Sequence, residues 1–342
     1  MMLARKPDEL SACYHRPVLS RALWLVWLWV ALMFGVFAGH GWAREFEPVS
    51  VRLEPVQVSP RVWYVMGDTG PVSVANEGFN SNAGFVITDE GIVVFDALGS
   101  PALGAVLLQR IQQLTAQPVR RVIVSHYHAD HFYGLQAFKA QGAEIWAHRR
   151  ALEYLASDAP RLRLDERRQS LFPWVNEFTR IVPPDVVIDS DREFMLGGVR
   201  FQLFSAGPAH TPEDLMMLVP DEKVLFAGDL IFAGRVPFVG DADSRAWLGA
   251  LDRLVEQAPS IVVTGHGPHS QSGLNDVTLT RDYLRHLRAE MGRGVEQMLT
   301  FEEAYAAADW SRFRHLPAFS AANRGNAFNT FILMEREALS RP

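Results

Sequence analysis

The sequence predicts an α+β fold in which two β-rich sheets are flanked by helices and followed by a helical C-terminal region. Short apolar runs alternate with stretches of helical periodicity between residues 61 and 264. From Val277 onward the pattern is mainly helical, and residues 300–303 form a capping box. Hydrophobic residues make up 48% of the 342 residues and charged residues 21%, which is typical of globular proteins.

The first half of the pattern predicts β-α-β units. Strands are predicted over residues 61–66, 83–88, 91–96, 121–125 and 144–147. Helices are predicted over residues 101–114, 131–140 and 149–156. Ser100 can cap the first helix, and Pro101 suits its first turn. Asp89, Glu90 and Gly91 lie between two strands and favour a hairpin.

The second half combines two hairpins with a less regular segment. Residues 157–184 contain several arginines and aromatic residues without clear periodicity, and we expect an insertion or lid-like loop there. Hairpins are predicted from residues 193–196 with 199–205 and from residues 215–219 with 223–227. A helix over residues 245–257 and a strand over 260–264 follow. We therefore expect a catalytic domain over residues 44–272 and a helical region over 273–342.

The first 43 residues predict a secretory signal peptide. Basic residues precede an uncharged apolar run over residues 22–39, and Gly41-Trp42-Ala43 supplies the small residues that a signal peptidase recognises. Cleavage after Ala43 would place the mature chain in the periplasm or another extracytoplasmic compartment. An uncleaved membrane anchor is the alternative, because the run of 18 apolar residues is close to the length that spans a bilayer.

Charge and cysteine content exclude several classes of function. The net charge is −6 and no basic block stands out, which argues against a nucleic-acid partner. The one cysteine, Cys13, precedes the apolar run, so the body of the chain has neither a cysteine nucleophile nor a cysteine-ligated zinc. We expect a small-molecule substrate. The sequence does not decide whether the chain forms a homo-oligomer. Membrane contact is expected only if the N-terminal segment is uncleaved.

A cluster of metal-ligand side chains follows the strand predicted over residues 121–125. The run reads His126-Tyr127-His128-Ala129-Asp130-His131. His126 and His128 share one face of an extended segment, and the turn that follows can bring Asp130 and His131 alongside. Imidazole and carboxylate are ligands that zinc and iron accept. A histidine-rich turn on the surface is the alternative interpretation. A chance cluster of this kind would not be accompanied by partner ligands elsewhere in the chain.

Three distant residues supply those partners, and each follows a predicted strand. They are His210, Asp229 and His266. Glycines beside Asp229 and His266 allow tight turns of the backbone. Strand-end loops that meet on one rim of a scaffold are typical of an active site. Each residue alone is a weak signal, but together with the cluster they predict a metal site.

The run His-x-His-x-Asp-His with the later His, Asp and His resembles the metallo-β-lactamase superfamily over residues 62–268. The resemblance implies an αββα four-layer sandwich and a metal-dependent hydrolase that holds two zinc ions. By this resemblance the first metal is held by His126, His128 and His210, the second by Asp130, His131 and His266, and Asp229 bridges them. True β-lactamases of this fold often have Cys or Ser at the position of Asp229. The aspartate is instead similar to glyoxalase II, persulfide dioxygenases and related hydrolases. Residues 79–82 and 324–329 resemble extracytoplasmic members of sulfur-oxidation or quinoprotein systems.

The resemblance implies that a metal-bound hydroxide attacks a thioester, ester or amide carbonyl. Asp130 would orient this nucleophile or carry its proton. No Gly-x-Ser-x-Gly motif is present, which disfavours covalent serine catalysis. Three residues are candidate substrate contacts, each with an ordinary alternative. They are Asn82, which can instead shape a turn; Tyr127, which can pack under the site; and Arg235, which can be a solvated loop residue.

Three other functions stay open. An iron-dependent persulfide dioxygenase would hold one iron with His126, His210 and Asp229, and ligand types alone do not separate iron from zinc. A metal-stabilised periplasmic accessory or binding protein is disfavoured, because a structural zinc needs only four ligands. β-Lactamase activity is disfavoured by Asp229.

Overall fold

A computed structural model describes residues 46–240, 242–270 and 275–340. The described residues from Glu47 onward belong to one compact unit. The predicted signal peptide with its cleavage site, and the alternative membrane anchor, lie outside the described residues. Among the helices within the described ranges, none is both long and apolar enough to cross a membrane.

The first sheet has seven strands that lie side by side in their order along the chain. They are β1 (Val56–Gln57), β2 (Val62–Val65), β3 (Ala83–Thr88), β4 (Gly91–Phe95), β5 (Val119–Ile123), β6 (Glu144–His148) and β7 (Val186–Ile188). Strands β1 to β4 pair antiparallel, and β4 to β7 pair parallel. The sheet is therefore mixed.

The second sheet has five strands in the order β12-β11-β10-β9-β8. They are β8 (Arg192–Leu196), β9 (Val199–Ser205), β10 (Leu215–Val219), β11 (Val224–Phe232) and β12 (Ile261–His266). Only β11 and β12 pair parallel. This sheet is mixed as well.

Helices cover the outer faces of both sheets. They are α1 (Pro101–Leu114), α2 (Ala129–Phe132), α3 (Leu135–Ala140), α4 (Ala151–Leu155), α5 (Ala159–Ser170), α6 (Ser244–Glu256), α7 (Asn275–Glu296), α8 (Phe301–Ala307) and α9 (Phe319–Leu339). One apolar cluster joins the first sheet to α1 and α3, and another joins the second sheet to α6, α7 and α9. A third cluster lies between the sheets and includes Phe95 and Phe226. The predicted four-layer arrangement is confirmed.

Buried strands and capped helices account for the agreement between sequence and structure. Val93 faces the other sheet and Val94 faces the helices, because successive side chains of a strand point to opposite faces. Helix α1 spans the predicted residues, and the Leu103 amide donates to the Ser100 hydroxyl over 3.1 Å. The capping box at Thr300 is present.

The expectation of a loop over residues 157–184 is wrong for its first half, which forms the 12-residue helix α5. The apolar periodicity is missing because only Pro160 and Leu164 of this helix are buried. Ion pairs along its exposed face support it instead, such as Arg161 Nη1 with Asp165 Oδ2 at 3.4 Å, one helical turn away.

Two asparagines of α9 hold the loop that follows β11. The Asn326 side chain accepts from the Val239 amide over 2.9 Å and donates to the Pro237 carbonyl over 2.7 Å. Asn329 donates to the Gly240 carbonyl over 2.8 Å. The C-terminal helical region therefore determines the path of this loop, which contributes to the site described next.

Candidate metal centre

The structure brings the seven predicted ligands together in two adjoining groups. His126, His128, His210 and Asp229 form the first group, and Asp130, His131 and His266 form the second. Within each group the candidate ligand atoms all lie within 4.8 Å of one another. The side chains come from β11, from the end of β12 and from the segments after β5 and β9. Parts of both sheets thus meet at one rim. The prediction that Asp229 follows a strand is wrong, because β11 continues past it to Phe232.

Asp229 lies at the centre of this arrangement and is 4% exposed. Its Oδ2 lies 3.4 Å from His210 Nε2 and 3.3 Å from His266 Nε2. Its Oδ1 lies 3.2 Å from His131 Nε2. One carboxylate therefore contacts histidines of both groups.

Three of the histidine rings are oriented by a partner on Nδ1. The His131 Nδ1–H group donates to Asp96 Oδ2 over 2.9 Å. The His266 Nδ1–H group donates to the Asn80 carbonyl over 2.6 Å. His126 Nδ1 lies 2.9 Å from the Ser125 hydroxyl. Each contact fixes the orientation of the ring and directs Nε2 towards the other ligand atoms.

Several buried polar atoms of the site fit a bound cation. His126 Nε2, His131 Nε2 and Asp229 Oδ1 have no hydrogen-bond partner among the described residues. Buried polar groups are almost always partnered, so these atoms need an explanation. In addition, His128 Nδ1 and His210 Nε2 face each other at 3.0 Å. Imidazole nitrogen and carboxylate oxygen suit a divalent ion such as zinc.

Burial keeps the histidines of the first group neutral. It lowers the pKa of His126 well below the usual value, and the neighbouring His131 and His128 lower this pKa further. Burial likewise lowers the pKa of His210 to about 3. An imidazole must be deprotonated to bind a metal, so both rings are ready to act as ligands at neutral pH.

Carboxylates surround His131 of the second group. Burial alone would lower the pKa of His131, but the surrounding carboxylates, of which Asp229 acts most strongly, raise it well above the usual value. Burial would raise the pKa of Asp229, but His266 and His131 hold it well below its usual range. Since a cation on His131 would replace a proton, metal binding at this group is coupled to proton release.

Asp96 is a functional residue that the sequence analysis missed. It directly follows β4, is 1% exposed, and accepts hydrogen bonds from the Ser125 amide and hydroxyl, each over 2.7 Å. It also accepts from His131 Nδ1. Asp96 thus orients His131 directly and His126 through Ser125. Its position directly after a buried strand was the signal that could have identified it.

We expect Asp96→Asn to weaken metal binding about 10- to 100-fold, because loss of a carboxylate that orients a ligand histidine has effects of this size. Competition with a zinc chelator measures the change. Asp189→Asn is the matched control, since Asp189 also follows a strand of the first sheet but is exposed and pairs with Arg149. Equal affinities for Asp96→Asn and the unchanged protein would contradict the orienting role.

A cavity of about 250 Å³ opens beside the ligands. Its walls come from the segment after β2, α5, the loop after β11 and the first turn of α9. The lining residues include Asn80, Asp130, Arg163, Arg167, Arg235, Phe238, Ala318, Ala321 and Ala322. Of the three candidate substrate contacts, only Arg235 lines this cavity among the described residues.

The other two candidates have structural contacts in place of substrate contacts. Asn82 accepts from the Gly67 amide over 3.1 Å and donates to the Thr264 and Gly267 carbonyls over 2.8 and 2.7 Å. It therefore ties the start of β3 to the end of β12, where His266 lies. Tyr127 is buried and donates to the Val182 carbonyl over 3.2 Å.

Asn80, which the sequence analysis did not select, is the amide that faces the site. Its Nδ2 donates to Asp130 Oδ2 over 3.1 Å. Adjacent positions of an asparagine-rich loop cannot be distinguished by sequence alone, because the path of the backbone decides which of them points inward.

Comparison with known proteins identifies the family of this arrangement. The family model described as Metallo-beta-lactamase superfamily matches residues 76–266. A metallo-beta-lactamase type 2 of Elizabethkingia meningoseptica is 25% identical over 193 residues, which cover 55% of this chain and 69% of that protein. A linear primary-alkylsulfatase of Pseudomonas sp. (strain ATCC 19151) is 23% identical over 251 residues, covering 63% of this chain. The match covers only 47% of that alkylsulfatase.

Solved structures show the same fold. The metallo-beta-lactamase from Pontibacter korlensis superposes with a TM-score of 0.53 at 24% identity, over 68% of this chain and 99% of that one. The sec-alkylsulfatase Pisa1 from Pseudomonas sp. superposes with a TM-score of 0.63 at 19% identity, over 85% of this chain and 52% of that one. At these identities the likeness concerns the fold.

Proposed function

This chain belongs to the metallo-beta-lactamase superfamily, and on that basis we propose that it is a hydrolase with a dinuclear metal centre that cleaves a thioester, ester or amide. The observation that carries the proposal is the pair of complete ligand groups that share Asp229. A single structural ion needs four ligands in a closed site. Seven ligands beside an open cavity favour two ions and a bound substrate.

The residues around the cavity have distinct tasks in such a reaction. Divalent ions bound here would polarise the substrate carbonyl and lower the pKa of a bound water to about 7. Asp130, held by Asn80, faces the cavity next to His266 and can orient a water or hold its proton. Phe238 lies edge-on to His128 and His210, with ring centres 6.1 and 6.4 Å away, and forms an apolar part of the cavity wall.

The alternatives differ from this proposal in metal content or in substrate. An iron-dependent persulfide dioxygenase would use one ion on His126, His210 and Asp229 and would leave the second ligand group without a function. Lactam hydrolysis is suggested by the names of several relatives. Cleavage of a sulfate ester is a second candidate, favoured by the match to an alkylsulfatase and by the arginines that line the cavity.

Metal content tests the proposal first. We expect the mature chain, residues 44–342, purified after export, to hold about two metal ions per chain, mostly zinc. Elemental mass spectrometry of the purified chain measures this content. Removal of the ions with a chelator should abolish hydrolysis, and zinc should restore it. One iron per chain together with oxygen uptake on persulfides would replace the hydrolase proposal with the dioxygenase.

The reaction is tested on the metal-loaded protein with chromogenic probes of each class. We expect turnover of a thioester or a 4-nitrophenyl carboxylate ester. Turnover of nitrocefin alone would assign the protein to the β-lactamases, and turnover of 4-nitrophenyl sulfate alone would assign it to the sulfatases.

A further inference from the structure

We propose that residues 80–82 act as a clamp that assembles the second ligand group and determines its metal affinity separately from that of the first group. Asn80 is the main positioning residue of this clamp. The inference rests on the proposed dinuclear centre and adds which part of the chain controls the second ion. It has three supports: Asn80 holds two ligands at once, the next two residues hold the backbone around those ligands, and other residues hold the first group.

Asn80 holds one ligand from each sheet. Its side-chain Nδ2 donates to Asp130 Oδ2 over 3.1 Å, and its backbone carbonyl accepts from His266 Nδ1 over 2.6 Å. Asp130 lies in α2, which follows β5 of the first sheet, whereas His266 ends β12 of the second sheet. The two ligands also lie close to each other, with Asp130 Oδ2 3.5 Å from His266 Nε2. One residue therefore fixes the relative position of two ligands that belong to different sheets.

The next two residues of the clamp hold the backbone beside the same ligands. The Ser81 hydroxyl donates to the backbone carbonyl of Asp130. Asn82 donates to the carbonyls of the residues on either side of His266, from its backbone amide over 2.7 Å and from its side chain over 2.7 Å. Ser81 and Asn82 are both buried, so water does not compete for these hydrogen bonds. The clamp thus restrains the backbone as well as the side chains of the second group.

The fold fixes the clamp itself. The Gly67 amide donates to the Asn82 side chain over 3.1 Å. A Cβ at Gly67 would lie 2.5 Å from the Ser81 carbonyl oxygen, so the two backbone segments pack in direct contact. The residue after the clamp is the first residue of the buried strand β3. A preorganised segment loses little conformational entropy when a ligand binds, so its hydrogen bonds contribute to metal affinity.

Other residues hold the first ligand group. The His126 ring contacts the Ser125 hydroxyl at 2.9 Å. The turn that carries His210 is held by the buried Asp214, which accepts from the Thr211 amide over 2.8 Å and from the Thr211 hydroxyl over 2.7 Å. These contacts involve no residue of the clamp. A change in the clamp should therefore affect the second ion and leave the first ion in place.

Zinc titration of the metal-free chain against competing chelators tests the inference. We expect two binding steps in the unchanged protein. Asn80→Leu keeps the branched shape of the side chain but cannot donate to Asp130, so one step should weaken about 10- to 100-fold. The other step should change less than about threefold. Asp130→Ala should abolish the step that Asn80→Leu weakens, which assigns that step to the second group. Asn176→Leu is the matched control, because Asn176 donates to the Pro173 carbonyl and contacts no ligand.

Two further measurements separate a positioning role from a general loss of structure. Ser81→Ala removes a single hydroxyl group, and we expect it to weaken the same step as Asn80→Leu but to a smaller extent. Excess zinc should bring the Asn80→Leu variant back to the metal content of the unchanged protein, because mass action fills a weakened site. A misfolded variant would not regain its second ion at any zinc concentration.

The titration also separates the inference from the proposed function, since it measures binding without a substrate. If two ions bind and Asn80→Leu changes neither step, or weakens both alike, the inference is overturned and the dinuclear centre stands. If the unchanged protein binds one ion only, the dinuclear proposal fails. The clamp then stands if Asn80→Leu weakens that ion as Asp130→Ala does, and it is overturned if Asn80→Leu leaves the affinity unchanged.

Discussion

Asp229→Ala is expected to remove about one of two metal ions and to lower hydrolysis more than about 100-fold, since even residues that only orient a ligand change affinity or activity 10- to 100-fold. The carboxylate contacts histidines of both ligand groups, at 3.2 Å for His131 and 3.4 Å for His210. Water carries no negative charge, so in the proposed dinuclear centre the two cations would repel each other more strongly. Metal analysis and kcat on the same preparation measure both effects.

His148→Ala is the control for this prediction. His148 ends β6, and its Nε2 lies 3.2 Å from the Ser205 hydroxyl, outside both ligand groups. We expect metal content and kcat to stay unchanged. Loss of metal in this variant would reveal a ligand that the two groups do not include, and unchanged metal and rate in Asp229→Ala would remove its bridging role.

Gly134→Ala is expected to destabilise the protein strongly and to weaken metal binding at the same time. A Cβ at this position would lie 1.8 Å from the Ala97 carbonyl oxygen, and backbone cannot move aside as a side chain can. Overpacking costs about 1–3 kcal/mol or more, and we expect the upper end of this range. The Ala97 amide donates to the His131 carbonyl over 2.7 Å, so the displacement would reach the metal ligands.

Gly325→Ala is the matched control, because it adds the same methyl group in the opposite setting. Nothing lies within 4 Å of its Cβ position, and Gly325 is an exposed residue inside α9. Alanine favours a helix over glycine by about 1 kcal/mol, so stability should rise. Thermal unfolding of both variants measures these changes in stability. A Gly134→Ala variant with the melting temperature of the unchanged protein would refute the close contact.

The sequence by itself determined the two sheets, the four layers and the set of metal-ligand candidates. Strands buried on both faces are long apolar runs, and helix α1 carries its own cap, so these elements are specified locally. Most of the ligands were recognisable because they end or follow a strand, and strand ends at one rim of a sandwich meet in space. Asp229 instead lies within β11. The cleavage after Ala43 and the extracytoplasmic location stay predictions.

Only the tertiary structure decided which residues surround the metals. Helix α5 is supported by ion pairs and not by an apolar stripe, so its periodicity gave no signal. Asp96 and Asn80 acquire their roles through contacts with His131 and Asp130, which lie 35 and 50 residues further along the chain. The position of Arg235 depends in the same way on α9, whose Asn326 holds the neighbouring loop from 87 residues away. Local patterns cannot encode such contacts, because the folded backbone alone brings these distant residues together.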